Sequence, residues 1–359
     1  TYTLEGISSI ITSDSKKGEP IPFFLHQKSA IVFGGTSGIG EAMAIRLSEA
    51  GVKNVTIVGR NKKEGERIVG EMNRVATAPN PNHQFIPADL MLLKTAHDLV
   101  NKNENLRNNH QHSLHYVVYC QTKATLQGLT PTPNENIDEK LALNFYSRMY
   151  LTKLLLPWVK KSRENTKKQF RDIQQLIQPR FFSVLAAGMH DPYPYWKEDT
   201  RLEKDKSHYS SKSAADAATF YTDLVFDKFS RQYGGEIGFV HACPGFVQTQ
   251  WGTDMPSVIR YAIRAIQFIG GRPAKECAEF MFRGLIEHKD TEQQRVQRTG
   301  NTNRMMNNNK NNNNQKHEVI LVDQYGRNDQ AKKTALHLDV AIDHVWADTL
   351  KRFEEVEKT

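Results

Sequence analysis

From Lys28 onward the chain alternates between short apolar runs and longer stretches whose apolar positions recur every three or four residues. SAIVFGG reads as a buried strand, GEAMAIRLSEAG as a helix closed by Gly51, and NVTIVGR as a second buried strand. The pattern then predicts a helix over about 62–77, a strand in HQFIPADL, a helix over about 91–105 and the apolar strand LHYVVYC. A long helix over about 136–160 follows, with the strand RFFSVLAAG and a helix over about 208–233 behind it. The strand IGFVHACPG, a helix over about 274–288 and a last strand in HEVILVD complete the series. Parallel neighbours need a long, right-handed connection, and helices of this length supply it. The expected fold is α/β: one doubly wound parallel sheet of the Rossmann type, about seven strands with helices on both faces, over residues 28–359.

Three stretches break the rhythm: KKSRENTKKQFRDIQQ at 160–175, HDPYPYWKEDTRLEKDK at 190–206 and TGNTNRMMNNNKNNNNQK at 299–316. The last is too polar to bury enough apolar surface to offset the entropy of ordering it, and it reads as an Asn-rich loop. Residues 1–27, with KKGEPIP, carry no motif and read as an N-terminal extension.

Net charge and cysteine usage narrow the class. The chain carries +8, but Lys and Arg are interleaved with acids along its length, which fits a solvated surface better than a nucleic-acid patch. No nucleic-acid partner is expected. There is no run of about 18 apolar residues, so no membrane span is expected, while a peripheral contact stays open. Cys120, Cys243 and Cys277 are far apart and without CxxC spacing, which indicates neither a disulfide framework nor a metal site. A reducing compartment, the cytoplasm or another, is expected, and a first residue of Thr rather than Met leaves a removed presequence open.

Chemistry enters after the first strand, in GGTSGIG with glycines at 34, 38 and 40. A strand, a glycine turn and a helix in that order let a pyrophosphate approach the helix N-terminus, where free N–H groups and the positive end of the dipole meet it. Gly34, Thr36, Ser37, Gly38, Ile39 and Gly40 are the expected cradle. An NAD site wants an acid about 20 residues further on to accept from the ribose 2′-hydroxyl. This chain has Arg60 there, in VGRN, and a guanidinium grips a 2′-phosphate where a carboxylate would repel it. NADP(H) is therefore expected over NAD(H).

The GxxxGxG spacing resembles the short-chain dehydrogenase/reductase family, and further pieces follow in the family's order across roughly residues 28–290. The resemblance implies that Asp89 in PADL contacts the adenine and that Asn144 in LALNFYSRMYLTKLLLP supports a proton relay. It also implies that Pro244, Gly245, Val247 and Thr249 in CPGFVQT hold the nicotinamide end. Family members pair a Tyr that transfers the proton with a Lys that lowers the Tyr pKa and binds the ribose, beside a Ser that polarises the carbonyl.

In SHYSSKSAAD, Lys212 takes the Lys place, but Tyr209 stands three residues before it instead of four, and His208 occupies the fourth. On a helix the two spacings lie on opposite sides of Lys212, so Tyr209 is expected either to reach it from a displaced position or to yield the proton role to His208. The serine positions read Leu185 and Ala186, with Ser183 one pleat away, and VYCQT replaces an NNAG-like turn. Beyond Thr249, the family's substrate lid corresponds to a stretch in which Met255, Ile259, Tyr261, Ile263, Ile266 and Phe268 suit an apolar pocket, a core-packed helix or a shallow membrane contact. The expected function is an NADP(H)-dependent oxidoreductase acting on a carbonyl or alcohol of a lipophilic small molecule, with a homo-oligomer implied by the resemblance. The alternative is an impaired NADP(H)-binding protein serving as sensor, scaffold or structural subunit.

Overall fold

Every residue of Ser29–Phe33 (β1) is buried, which explains why that run shows no polar alternation: a central parallel strand is covered on both faces. The computed structural model describes residues 25–169, 178–250, 255–286, 318–328 and 338–358. The first 24 residues and the Asn-rich stretch lie outside the described residues. β1 pairs in parallel with Asn54–Gly59 (β2) on one side and with Tyr116–Tyr119 (β4) on the other. Gln84–Pro87 (β3) flanks β2; Arg180–Val184 (β5), Gly238–Ala242 (β6) and Ile320–Val322 (β7) extend the other half, giving the order β3-β2-β1-β4-β5-β6-β7. All seven strands are parallel, as the alternation predicts. The strand order reverses between β1 and β4, which opens a crevice at their carboxyl ends.

Helices Gly38–Glu49 (α1), Lys62–Val75 (α2) and Ala274–Ile286 (α8) cover one face, over a core that includes Val32, Ile57, Met43 and Phe282. Leu93–Lys102 (α3), Glu104–His110 (α4), Ser147–Gln169 (α5), Ser211–Tyr233 (α6) and Asp339–Glu357 (α9) cover the other, over Phe33, Tyr119, Phe181 and Phe239. Ser257–Gly270 (α7) lies beyond the sheet, tied to it by a short parallel ladder of Val247–Gln248 with Arg272–Pro273.

Two boundaries differ from the pattern for local reasons. The single helix expected over about 91–105 splits at Asn103, whose backbone is extended and whose side chain accepts from Leu106 N at 2.9 Å, starting a second helix. The long helix begins at Glu139 behind an Asp138 cap, passes through a π-turn at Ala142–Tyr146 and continues to Gln169, so the first ten residues of the polar 160–175 stretch are helical.

Candidate active site

The β1–α1 turn is held open by geometry that excludes side chains. Gly34 and Gly38 have φ of +74° and +59°, and a Cβ on Gly40 would lie 2.2 Å from the Gly34 carbonyl oxygen. α1 therefore starts hard against β1. Ser37, its N-cap, is extended and makes no side-chain capping bond. Above the turn lies a cavity of about 1320 Å³. Gly34, Thr36, Ser37, Gly38, Ile39, Gly40, Arg60, Asp89 and Thr249 all line it, so the structure brings these expected residues to one place.

Arg60 closes β2 at the cavity rim, two-thirds exposed, with a long 3.9 Å contact to Asp89 as its one ion pair among the described residues. An exposed pair at that distance is worth little, so the guanidinium keeps its capacity for a phosphate. Arg67 is differently placed: Glu41, Glu64 and Glu71 surround it, at 2.5, 2.7 and 3.5 Å, which holds its pKa above the ordinary value through hydrogen bonds first. Opposite, Thr249 faces Gly38 across 3.2 Å from where a Cβ would stand. Gly245 (φ +71°) turns the chain beside Gln324, while Val247 gives its carbonyl to Gln267 Nε2 at 3.0 Å and the Pro244 carbonyl faces the Cys277 thiol at 3.7 Å. Pro244, Gly245 and Val247 thus support the wall from behind and do not line it.

Asn144 also acts from behind. Within the π-turn its Oδ1 accepts from Thr122 Oγ1 (3.0 Å) and Lys123 N (2.8 Å), and its Nδ2 donates to Lys123 O (3.0 Å). It fixes the segment after β4, whose Cys120, Gln121 and Thr122 line the cavity.

The SHYSSK segment does not form the expected pair. Tyr209 has extended backbone (φ −91°, ψ 126°) and precedes Ser210, the cap of α6, so the helical spacing to Lys212 does not apply. Its hydroxyl donates to Asp138 Oδ2 at 2.7 Å and accepts from Lys140 Nζ at 2.8 Å. Burial, then the hydrogen bond and charge of Asp138, raise the phenol's pKa well above its ordinary value. Lys212 is 68% exposed and its ammonium lies between Asp191 (2.7 Å) and Asp216 (2.6 Å), hydrogen bonds that raise its pKa. His208 bonds Asp199 Oδ2 at 3.2 Å and stacks on Tyr195, ring centres 3.7 Å apart. None of the three lines the cavity. Ser183 is fully buried and accepts from Arg148 Nη1 at 2.8 Å, so its hydroxyl does not face the cavity.

Residues 28–166 match the family model described as short chain dehydrogenase. An oxidoreductase of Emericella variicolor is 29% identical over 221 residues, 61% of this chain and 58% of that protein. Over residues 28–166 the chain is similar to short-chain dehydrogenases. It spans less than two thirds of the length of this relative. A 3-ketodihydrosphingosine reductase of Cryptococcus neoformans var. neoformans serotype D is 46% identical over 63 residues, 18% of each chain. A solved short-chain dehydrogenase/reductase of Serratia marcescens shares the fold at 17% identity, covering 73% of this chain and 92% of that one with a TM-score of 0.51.

Two polar clusters have no counterpart in the sequence pattern. Arg148 is fully buried and donates to Ser183, to Val184 O (2.9 Å) and to Gln121 O, lacing β4 to β5 beneath the cavity. Burial lowers its pKa to about 10. A lone Arg inside the apolar run LNFYSRMYL was the available signal. Asp138 and Lys140, which hold Tyr209, come from the start of the long helix about 70 residues earlier, and no sequence spacing connects them to it.

Proposed function

We propose that the chain is an NADP(H)-dependent oxidoreductase acting on a carbonyl or alcohol group of a lipophilic small molecule. The observation carrying this reading is the cavity floored by the glycine turn and flanked by Arg60. Its volume exceeds the roughly 300–1,000 Å³ of ordinary ligand pockets, which suits a dinucleotide with room beside it. The residues fit such a group: Ser37, Gly38 and Ile39 present the N-terminus of α1 to a pyrophosphate, with Thr249 across from Gly38, Arg60 a cation to a 2′-phosphate, and Asp89 and Leu90 a wall to the adenine. When bound, the dinucleotide would exchange a hydride with the substrate carbon. Tyr209 is the chain's proton-holding group, and Lys140, not Lys212, is the cation on its hydroxyl. Lipophilicity of the substrate rests on Phe268, which lines the cavity from α7.

One observation favours the second reading, a nucleotide-binding protein without turnover. The phenol is committed to Asp138 and the Lys212 ammonium to two surface carboxylates, outside the cavity lining. NADPH oxidation over a panel of long-chain and cyclic ketones separates the two. Under the first reading wild-type protein turns over and Tyr209→Phe is inactive while still binding NADPH; under the second, wild type binds NADPH and oxidises it with none of the panel. Activity unchanged in Tyr209→Phe would remove that residue from the proton role.

A further inference from the structure

Among the described residues, α7 is amphipathic with its faces reversed. The one buried side chain is Gln267, whose amide bonds Val247 O at 3.0 Å and takes Arg264 Nη1 at 2.7 Å, while the same guanidinium reaches Thr249 O. The polar residues thus face the protein. Val258, Tyr261, Phe268 and Ile269 face away, at 78, 71, 85 and 86% exposure, and Ile266 joins them. Of the six residues that suit an apolar pocket, a core-packed helix or a shallow membrane contact, Ile259, Tyr261, Ile266 and Phe268 are exposed, Phe268 at the edge of the cavity, which rules out the core-packed helix. A contiguous apolar face of this kind on a soluble helix marks something that covers it.

We propose that α7 docks the chain on an anionic lipid surface, its apolar face entering the headgroup boundary. The helix SVIRYAIRAIQFIG carries no acid, and the chain's net charge of +8 complements a negative surface. A second copy fits worse. A 14-residue helix is about 21 Å long, so face-to-face pairing of two buries on the order of 400 Å² in total, against roughly 1,200 Å² for a stable interface. Since Phe268 lines the cavity from the same helix, docking brings the cavity mouth to the lipid boundary, a placement that does not depend on what the cavity binds.

The test is co-sedimentation of the full chain with vesicles of phosphatidylcholine alone and of phosphatidylcholine with phosphatidylserine, beside the double variant Phe268→Ser/Ile269→Ser. Both side chains are exposed, so the variant should keep the wild-type circular dichroism. Wild type is expected to pellet with the phosphatidylserine vesicles and to release in high salt, with the variant's partition reduced at least about tenfold. The proposal is overturned if wild type stays in the supernatant with both vesicles, or if the variant pellets equally well. It is also overturned if wild type is a dimer on gel filtration that the variant converts to monomer without any vesicle binding.

Discussion

Replacing Asp138 by Ala should destabilise the chain more than any other single change at the Tyr209 cluster. The carboxylate is fully buried and accepts from Tyr209 Oη (2.7 Å), Lys140 N (3.0 Å), Thr130 N (3.1 Å) and Leu141 N (3.3 Å), with the Lys140 ammonium 3.8 Å away. Lys140 is itself almost wholly buried, which lowers its pKa, while the charges of Asp138 and Glu139 oppose that shift. Removing one partner of a buried pair costs about 3–5 kcal/mol, largely because the other charge is left uncompensated. The lost helix cap adds about 1 kcal/mol, although contributions at touching groups do not sum. An effect of about 3–5 kcal/mol is a large share of a typical folding stability of roughly 5–15 kcal/mol. Tyr209→Phe removes two hydrogen bonds, one to Asp138 and one from Lys140, and should cost only about 1–2 kcal/mol, since Asp138 keeps its backbone donors and Lys140 keeps the Gly128 carbonyl. Urea unfolding of wild type, both single variants and the double variant measures the terms, and the double should cost less than the two singles together. A cost below about 1 kcal/mol for Asp138→Ala would refute the claim that this carboxylate holds Lys140 and Tyr209 in place.

Three further outcomes follow from the same geometry. Burial lowers the pKa of His83 to about 4 and of His110 and His115 to about 3, so these imidazoles stay neutral when folded while the unfolded chain protonates them from about pH 6.5 downward. Their stabilisation is complete above pH 6.5 and is lost as pH falls towards 4, at up to about 1.4 kcal/mol per pH unit for each; a urea midpoint that stays level from pH 7 to pH 5 would count against it. Gly40→Ala drives a methyl to within 2.2 Å of the Gly34 carbonyl oxygen and should cost about 1–3 kcal/mol together with NADPH binding; a variant with wild-type melting and affinity would show that α1 can shift freely. Arg60→Glu places a carboxylate at the end of β2, and competitive titration should show NADPH weakened at least about tenfold relative to NADH; an unchanged ratio would move the 2′-phosphate elsewhere.

The sheet was legible because its strands, apart from the edge strand β3, are largely buried on both faces and alternate with helices, so the apolar pattern specified element type. Asn103 and the π-turn at Ala142–Tyr146 were not, since each depends on a side-chain or backbone bond that leaves the apolar period intact. The cradle residues were legible through glycine, whose spacing reports a backbone constraint directly. The geometry of the SHYSSK segment was not legible, because a helical spacing sets Tyr209 beside Lys212, whereas Ser210 caps α6 and leaves Tyr209 extended. Its true partners, Asp138 and Lys140, are brought to it by the long helix, and Arg148 meets β4 and β5 in the same way. Such meetings of distant residues belong to the tertiary structure alone. For α7 the apolar period was read correctly, but periodicity does not say which side faces the protein.

The most direct test of the nucleotide cleft is a fluorescence titration of the full chain with NADPH and NADH, repeated on Gly38→Asp. Gly38 has φ +59° and lies against Thr249 at the proposed pyrophosphate site, so an aspartate there would be both strained and repulsive. Saturable binding of NADPH, tighter than NADH and abolished in the variant, is the predicted result. No saturable binding by wild type, or an affinity that Gly38→Asp leaves unchanged, would contradict the assignment of this cavity to NADP(H).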